Sequence, residues 1–292
     1  MKTVSVIIPT YNYGRFLREA IDSALAQTYR PIEVIVVDDG STDDTPQVLA
    51  AYGERIRVIR QDNRGAGAAR NRGTAAAKGD YLAFLDSDDI LKPQSLEREI
   101  ARFVADPSLG LVHCAAESVD GDGKLLSVSL NGMEGWLATE LLRLDREVIG
   151  TPGSGIMVPK QVAAEIGGYD ESLQPSEDWD FCYRIAVRYR VGYIREPLLT
   201  YRLHGGGLHL NVGRMEISML RALEKAFMDP TVRSLRNHSY GRIHRVLAGC
   251  YFQLHQPRQF FRHMIKSLRY DLGNLGYFAA YPIRIVARAF AR

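Results

Sequence analysis

Along the first 115 residues, short runs of apolar and β-branched residues alternate with stretches of helical periodicity. Residues 4–8 (VSVII), 33–37 (EVIVV), 57–59 (RVI), 81–85 (YLAFL) and 109–115 (LGLVHCA) read as strands. Between them, Phe16, Leu17, Ala20, Ile21, Ala24 and Leu25 recur on one helical face, and residues 45–52 follow the capping acids Asp43 and Asp44. Residues 66–77 are alanine-rich and helical, and Pro93 is placed in the first turn of a helix reaching about residue 104. Continuously apolar strands alternating with helices predict an α/β fold, a Rossmann-like, mostly parallel sheet flanked by helices. After residue 115 the alternation loosens. Residues 136–144 and 178–188 are helical in pattern, residues 155–158 (GIMV) form a strand, and from Met215 the pattern is helical throughout. The expected organisation is a domain over residues 1–210, in halves 1–115 and 116–210, followed by a helical C-terminal region over 211–292. Gly205, Gly206 and Gly207 mark the break.

In a parallel sheet, ligands bind beyond the carboxyl ends of the strands, and the polar clusters of this chain sit there. Thr10-Tyr11-Asn12 follows the first strand, Asp38-Asp39-Gly40-Ser41 the second, and Asp86-Ser87-Asp88-Asp89 the fourth. Three acids together at the end of a buried strand repel one another. They either cap the helix that follows or hold a divalent cation, Mn²⁺ or Mg²⁺, whose charge offsets the repulsion. Asp38 and Asp39 also suit a plain strand-to-helix turn around Gly40. Residues 64–71 (RGAGAARN) lack the third glycine of the dinucleotide fingerprint and follow no first strand. They read instead as a glycine-rich helix start whose N–H groups, with Arg70, face a diphosphate. There is no GxxxxGK[ST] segment, which excludes a P-loop.

Composition narrows the picture. With 292 residues, 46% of them apolar, the chain can bury a large core as one large domain or two small ones. Cys114, Cys182 and Cys250 lie far apart with no metal-ligand spacing, which fits a reducing compartment. The opening MKTVSVIIPTYN reads as folded sequence rather than a leader, and no apolar run reaches the roughly 18–20 residues of a membrane helix. The net charge of +3 hides an asymmetry. From Met215 onward thirteen Lys and Arg face four acids, +9, which leaves −6 for the rest. A basic tail on an acidic body points to an anionic partner or a solvated helical surface. No nucleic-acid-binding motif accompanies it.

Seven stretches then carry a specific likeness: VSVIIPTYN (4–12), EVIVVDDGSTDDT (33–45), NRGAGAARNRG (63–73), GDYLAFLDSDD (79–89), GGYDES (167–172), SEDWDF (176–181) and YRLH (201–204). In this order they resemble the family 2 glycosyltransferases, inverting enzymes of the GT-A fold, over about residues 1–205. The resemblance implies a nucleoside-diphosphate sugar donor, a saccharide or lipid-linked acceptor, and a role in cell-surface polysaccharide synthesis in the cytoplasm, at the inner face of the membrane. UDP is the expected nucleotide. Pro9, Thr10, Tyr11, Asp39, Arg70, Asp86, Ser87 and Asp88 are the implied donor contacts. Asp89 is the implied main metal ligand, with Asp88 and His204 beside it. Asp178 is the implied general base and Glu177 its partner. Tyr169, Trp179 and Trp136 are either sugar-stacking or core aromatics, and Trp136 is placed in the core. Two other readings compete, a non-catalytic sugar-nucleotide-binding subunit and a nucleotidyltransferase. The retained acids speak against the first, and Pro9-Thr10-Tyr11-Asn12, where a glycine-rich basic loop belongs, against the second. Beyond residue 214 the likeness ends. There Pro282 can open a helix with Arg284, Arg288 and Arg292 on one face, as in a segment lying on an anionic membrane.

Overall fold

The computed structural model describes residues 2–204 and 211–280. The glycines at 205–207 and the segment from Pro282 therefore lie outside the described residues. The chain forms two compact units, Met1–Ala138 with Glu147–Leu210, and Thr139–Arg146 with Asn211–Arg292.

Apart from the short β5, which the pattern does not predict, the first unit alternates as expected: β1 (Val4–Thr10), α1 (Gly14–Leu25), β2 (Ile32–Asp38), α2 (Thr45–Ala50), β3 (Arg57–Arg60), α3 (Ala66–Ala76), β4 (Tyr81–Phe84), β5 (Ile90–Leu91), α4 (Ser95–Ala105) and β6 (Leu109–Val119). Then come β7 (Leu125–Ser129), α5 (Ala138–Arg143), which from Thr139 on belongs to the second unit, β8 (Ile156–Pro159), α6 (Lys160–Glu165), α7 (Glu177–Arg188) and β9 (Arg190–Arg202). The sheet runs β3-β2-β1-β4-β8-β6-β9-β5, with β7 paired to β6. Strands β1 to β4 are parallel, and β6 and β9 are parallel to each other, but β8 lies antiparallel between β4 and β6. The sheet is thus mostly parallel, with β8 reversed inside it and the outer strands β5 and β7 antiparallel to β9 and β6. Pro93 precedes α4 rather than opening it. Its carbonyl accepts from Thr28 N–H at 2.9 Å, which ties this turn to the end of α1.

Every residue of β1 is buried because both faces are covered. Val4, Val6 and Ile8 pack with Leu17 and Ile21 of α1. Ile7 faces the other way, against α3, where a Cβ on Gly73 would lie 2.5 Å from its Cγ2 and 3.3 Å from Val37 Cγ2. That glycine lets α3 rest directly on β1 and β2, which fixes where Arg70, one turn earlier, meets the sheet edge. The carboxyl ends of β2, β1 and β4 consequently stand side by side.

The second unit is helical: α8 (Val212–Ala226), α9 (Arg236–Gln253), α10 (Pro257–Tyr270) and α11 (Leu275–Ala279). Ala248, Phe260 and Phe278 are buried together, with Phe252, Met264, Leu268 and Tyr277 packed around them. Asp145 joins the short Thr139–Arg146 segment to this unit through an ion pair with Arg242 (2.8 Å) and a hydrogen bond with His238 Nε2 (3.0 Å).

Candidate active site

Three turns at the carboxyl edge of the sheet are cross-braced. Asn12, in the left-handed region at φ 56°, donates its N–H to Ser41 Oγ (2.9 Å) and accepts from Thr42 N–H (2.7 Å). Asparagine tolerates that backbone better than most residues. Asp38 turns inward and accepts from Ser41 N–H at 2.8 Å. Asp39, buried, accepts from Gln61 Nε2 (2.8 Å) and from the N–H groups of Arg64 (2.9 Å) and Gly65 (2.7 Å), so it anchors the loop that starts α3. Oδ1 takes two of these bonds and Oδ2 only one, so Oδ2 keeps a lone pair for a ligand. Pro9 and Thr10 are buried at the end of β1, and the Thr10 hydroxyl has no partner inside the protein. Tyr11 is exposed.

The acidic turn after β4 is held from two sides. Asp86 N–H donates to Ser154 Oγ at 3.1 Å, from the turn leading into β8. Arg202, at the end of β9, donates its N–H to Asp89 Oδ1 (3.0 Å), its Nε to the Asp88 carbonyl (3.0 Å) and its Nη2 to Glu19 of α1 (2.9 Å). Its guanidinium also lies 4.8 Å from the centre of the Phe16 ring. Asp88 Oδ2 meets His204 Nε2 at 2.9 Å, and the His204 ring packs 4.9 Å from Phe16. Ser87 and Asp89 are buried, and Asp89 Oδ2 finds no partner of good hydrogen-bond geometry. Burial first, then Asp88 and Asp86, hold the Asp89 carboxyl well above the usual carboxylate range, against the Arg202 N–H and Ser154. Among the described residues, no three His, Cys, Asp or Glu side chains form a ready-made metal cage.

Arg70 has a task its sequence context does not suggest. Expected to face a diphosphate, it is buried, with Nη2 on Asp86 Oδ1 (2.7 Å) and Nη1 on Glu177 Oε1 (3.0 Å). It thereby ties the acidic turn to the first turn of α7. Burial alone would lower the Arg70 pKa, but Asp86, Tyr169, Glu177 and Asp178 together raise it. Asp86 is pushed up to about 6 by burial, opposed by Arg70 and reinforced by Asp88. Asp178 follows Glu177 on α7, whose N-cap is Ser176, so capping is not its role. Its Oδ1 accepts from Trp179 N–H at 2.7 Å. By accessible area Asp178 is only partly covered, yet protein surrounds it closely. That burial, then the neighbouring Glu177, raise its carboxyl to about 7 despite Arg70.

Gly153 closes the ring of charges. A Cβ there would lie 3.0 Å from Arg70 Nη2, 3.1 Å from Asp86 Oδ2 and 3.4 Å from Asp178 Oδ2. The oxygens of Asp86 and Asp178 thus face a common space that only a residue without a side chain leaves open. Gly153→Ala is expected to lower turnover roughly 10- to 100-fold by displacing these groups, with little change in thermal midpoint. A steady-state assay beside a melting curve checks it, and unchanged turnover would refute the crowding argument.

Sequence reading missed Gly153, Ser154 and Arg202. Arg202 lay inside the quoted YRLH stretch, where only His204 was singled out. The aromatics divide otherwise than expected. Trp136 is 65% exposed, not core, because it belongs to an extended segment on the surface next to Gly135, which bridges to β9. Tyr169 is buried, stacked on Phe181 with ring centres 4.0 Å apart, and Trp179 stacks on Tyr183 at 5.4 Å.

The glycosyl transferase family 2 profile matches residues 5–167, more than half of the chain, from within β1 through β8 and α6. The chain belongs to glycosyl transferase family 2. It is 35% identical to an uncharacterized glycosyltransferase of Nostoc sp. over 216 residues, covering 71% of this chain and 67% of that one. With an uncharacterized glycosyltransferase of Rickettsia typhi the figures are 32%, 84% and 77%. An Escherichia coli chondroitin synthase is 40% identical over 205 residues, 69% of this chain but only 29% of its own length. Among solved structures, S. aureus TarS residues 1–349 with UDP-GlcNAc aligns over 92% of this chain and 81% of that one, with a TM-score of 0.64 at 19% identity. The Pyrobaculum calidifontis mannosyltransferase PcManGT, with GDP-Man and Mn²⁺, covers 99% of this chain, and 80% of its own is covered, with a TM-score of 0.61 at 19% identity. The fold is therefore that of the GT-A enzymes, and this family 2 member is a glycosyltransferase.

Proposed function

We propose that this glycosyltransferase moves a sugar from a nucleoside-diphosphate donor, UDP before others, to a hydroxyl of a saccharide or lipid-linked acceptor, with inversion at the anomeric carbon. Its setting in this reading is the synthesis of a cell-surface polysaccharide in the cytoplasm, at the inner face of the membrane. The observation that carries the mechanism is the Asp178 carboxyl, poised at about 7 and sharing with Asp86 the space beside Gly153. A base works best when its pKa lies near the working pH.

Oδ1 of Asp178 is held by Trp179 N–H, which leaves Oδ2 to take the proton of the attacking hydroxyl. Attack opposite the departing diphosphate is a single displacement, so an α-linked donor yields a β-linked product. Glu177 is fixed by Arg70 and steadies the first turn of α7 that carries the base. The donor contacts all precede residue 115, whereas Glu177 and Asp178 come from the half over 116–210. Thr10, with its unpartnered buried hydroxyl, and Asp39 suit the nucleoside. TarS with UDP and with UDP-GlcNAc supports the choice of UDP, while PcManGT with GDP-Man keeps guanine in view.

A divalent cation, Mn²⁺ or Mg²⁺, fits the acidic turn, where Asp89 and Asp88 would hold it with Asp86 and His204 close by. The donor atoms are of the right kind, and Asp89 Oδ2 has no partner of good hydrogen-bond geometry inside the protein. When bound, such a cation supplies positive charge against the growing charge of the leaving diphosphate. PcManGT with Mn²⁺ supports this reading.

A thermal-shift panel of UDP, GDP, dTDP and CDP, each with and without Mn²⁺, tests donor and metal together. Stabilisation by one nucleotide that needs Mn²⁺ is expected, about 2.7 kcal/mol at a hundred times its Kd, lost in Asp89→Ala. No response to any nucleotide overturns the donor site. NMR of the product linkage tests the stereochemistry, and retention would remove Asp178 from the role of base.

A further inference from the structure

The outward face of α10 (Pro257–Tyr270) combines exposed apolar and cationic side chains. Its inward positions Phe260, His263 and Ser267 are buried, so the opposite side looks to solvent. On that side Phe261 and Ile265 are 53% and 48% exposed, and Leu272 and Leu275, just past the helix, are 77% and 60% exposed. Large apolar side chains left this exposed are not what a solvated helix needs. Arg258, Arg262 and Arg269 share the exposed side, with Lys266 half-buried at its margin. At 3.6 residues per turn, Phe261 and Ile265 form one sector and these cations the adjoining one. The helix contains no Asp or Glu at all. Arg262 pairs with Glu216 at 2.8 Å, which leaves Arg258, Lys266 and Arg269 to set the sign of the surface.

We propose that this face is a docking surface for an anionic lipid bilayer, with Phe261, Ile265, Leu272 and Leu275 entering the headgroup–acyl boundary and Arg258, Lys266 and Arg269 meeting lipid phosphates. The charge selects the partner. An apolar sector alone would suit any hydrophobic surface, and a cationic sector alone any polyanion, but the two side by side match an interface that is apolar below and negative above. No helix among the described residues is long and apolar enough to cross a membrane, so the contact is peripheral. The inference does not rest on the donor, metal or base assignments.

The test is flotation of the full chain with vesicles of phosphatidylcholine alone and of phosphatidylcholine with about 30% phosphatidylglycerol. Binding to the second and not the first is expected, weakening as salt rises. Arg258→Gln with Arg269→Gln is expected to weaken it roughly 30-fold. Phe261→Ser with Ile265→Ser is expected to weaken it at least about tenfold. Circular dichroism confirms that both double variants keep their helices, and nucleotide-induced thermal shifts in them stay at the wild-type value. Absence of flotation on anionic vesicles overturns the proposal. So does flotation that survives in the Phe261/Ile265 variant, because simple attraction between charges would then account for the binding.

Discussion

Asp178→Asn is expected to lower turnover by about 10²- to 10⁴-fold, the usual contribution of the general base proposed for it, and at the same time to raise the thermal midpoint at pH 8. Both effects have one cause. The carboxyl is crowded by protein and by Glu177, so its charged form is disfavoured and its pKa rises from 3.8 to about 7. The unfolded chain gives up this proton near 3.8, whereas the folded chain keeps it to about 7. The native state is therefore favoured most at low pH, and stability falls as pH rises through that window. Asparagine removes the penalty and keeps the carbonyl that accepts from Trp179 N–H. Discounted for the partial exposure of the group, the gain is about 1–2 kcal/mol at pH 8 and vanishes near pH 4. Melting curves of both proteins from pH 4 to 8 should diverge steadily. In the wild type, kcat should rise with pH and level off above about 7, since only the carboxylate takes a proton. Near-wild-type turnover in Asp178→Asn would end the assignment of the base.

How far the sequence foretold this site depends on whether its signals were local. The strand ends were legible because a buried strand is continuously apolar, and each polar cluster interrupts one abruptly: Thr10 after VSVIIP, Asp38 after EVIVV, Asp86 after YLAFL. The parallel pairing of β1, β2 and β4 then sets these clusters side by side. Asp178 and His204 were legible only through likeness to a family, since neither stands out by periodicity. What escaped were contacts between residues far apart in the chain. Arg70 reads locally as a cation beside a glycine-rich helix start, and nothing in RGAGAARN reports that Glu177 completes its pairing from 107 positions away. Arg202 reads as an alternating polar residue at the end of a strand. Its grip on Asp88 and Asp89 exists only because β9 pairs with β5 and β6 and brings its carboxyl end to the acidic turn. Gly153 looked like one more loop glycine until the charges around it were in place. The reversal of β8 was equally silent, because a buried strand has the same composition in either direction.

Arg70→Met is expected to be the most destabilising single change in the site, by about 3–5 kcal/mol at pH 8. Arg70 is buried with both terminal nitrogens engaged, so its loss leaves Asp86 and Glu177 as uncompensated charges beside Asp178. The effect should shrink towards pH 5. Asp86 and Asp178 titrate at about 6 and about 7, and a protonated carboxyl no longer needs the cation. Without Arg70 both would take up protons at still higher pH, so the stability gap to wild type closes as pH falls. Turnover should drop steeply as well, because Glu177 and the first turn of α7 lose the link that sets Asp178 against the acidic turn. Arg70→Lys separates charge from geometry. One ammonium restores positive charge but cannot span Asp86 at 2.7 Å and Glu177 at 3.0 Å with two fixed nitrogens. Lysine should therefore recover more of the stability than of the turnover. Urea unfolding at pH 5 and pH 8, run beside kcat for both variants, reads each part. A stability loss in Arg70→Met that ignores pH would show that packing, not charge, is what Arg70 supplies, and a fully active Arg70→Lys would show that the two-armed link is not needed for catalysis.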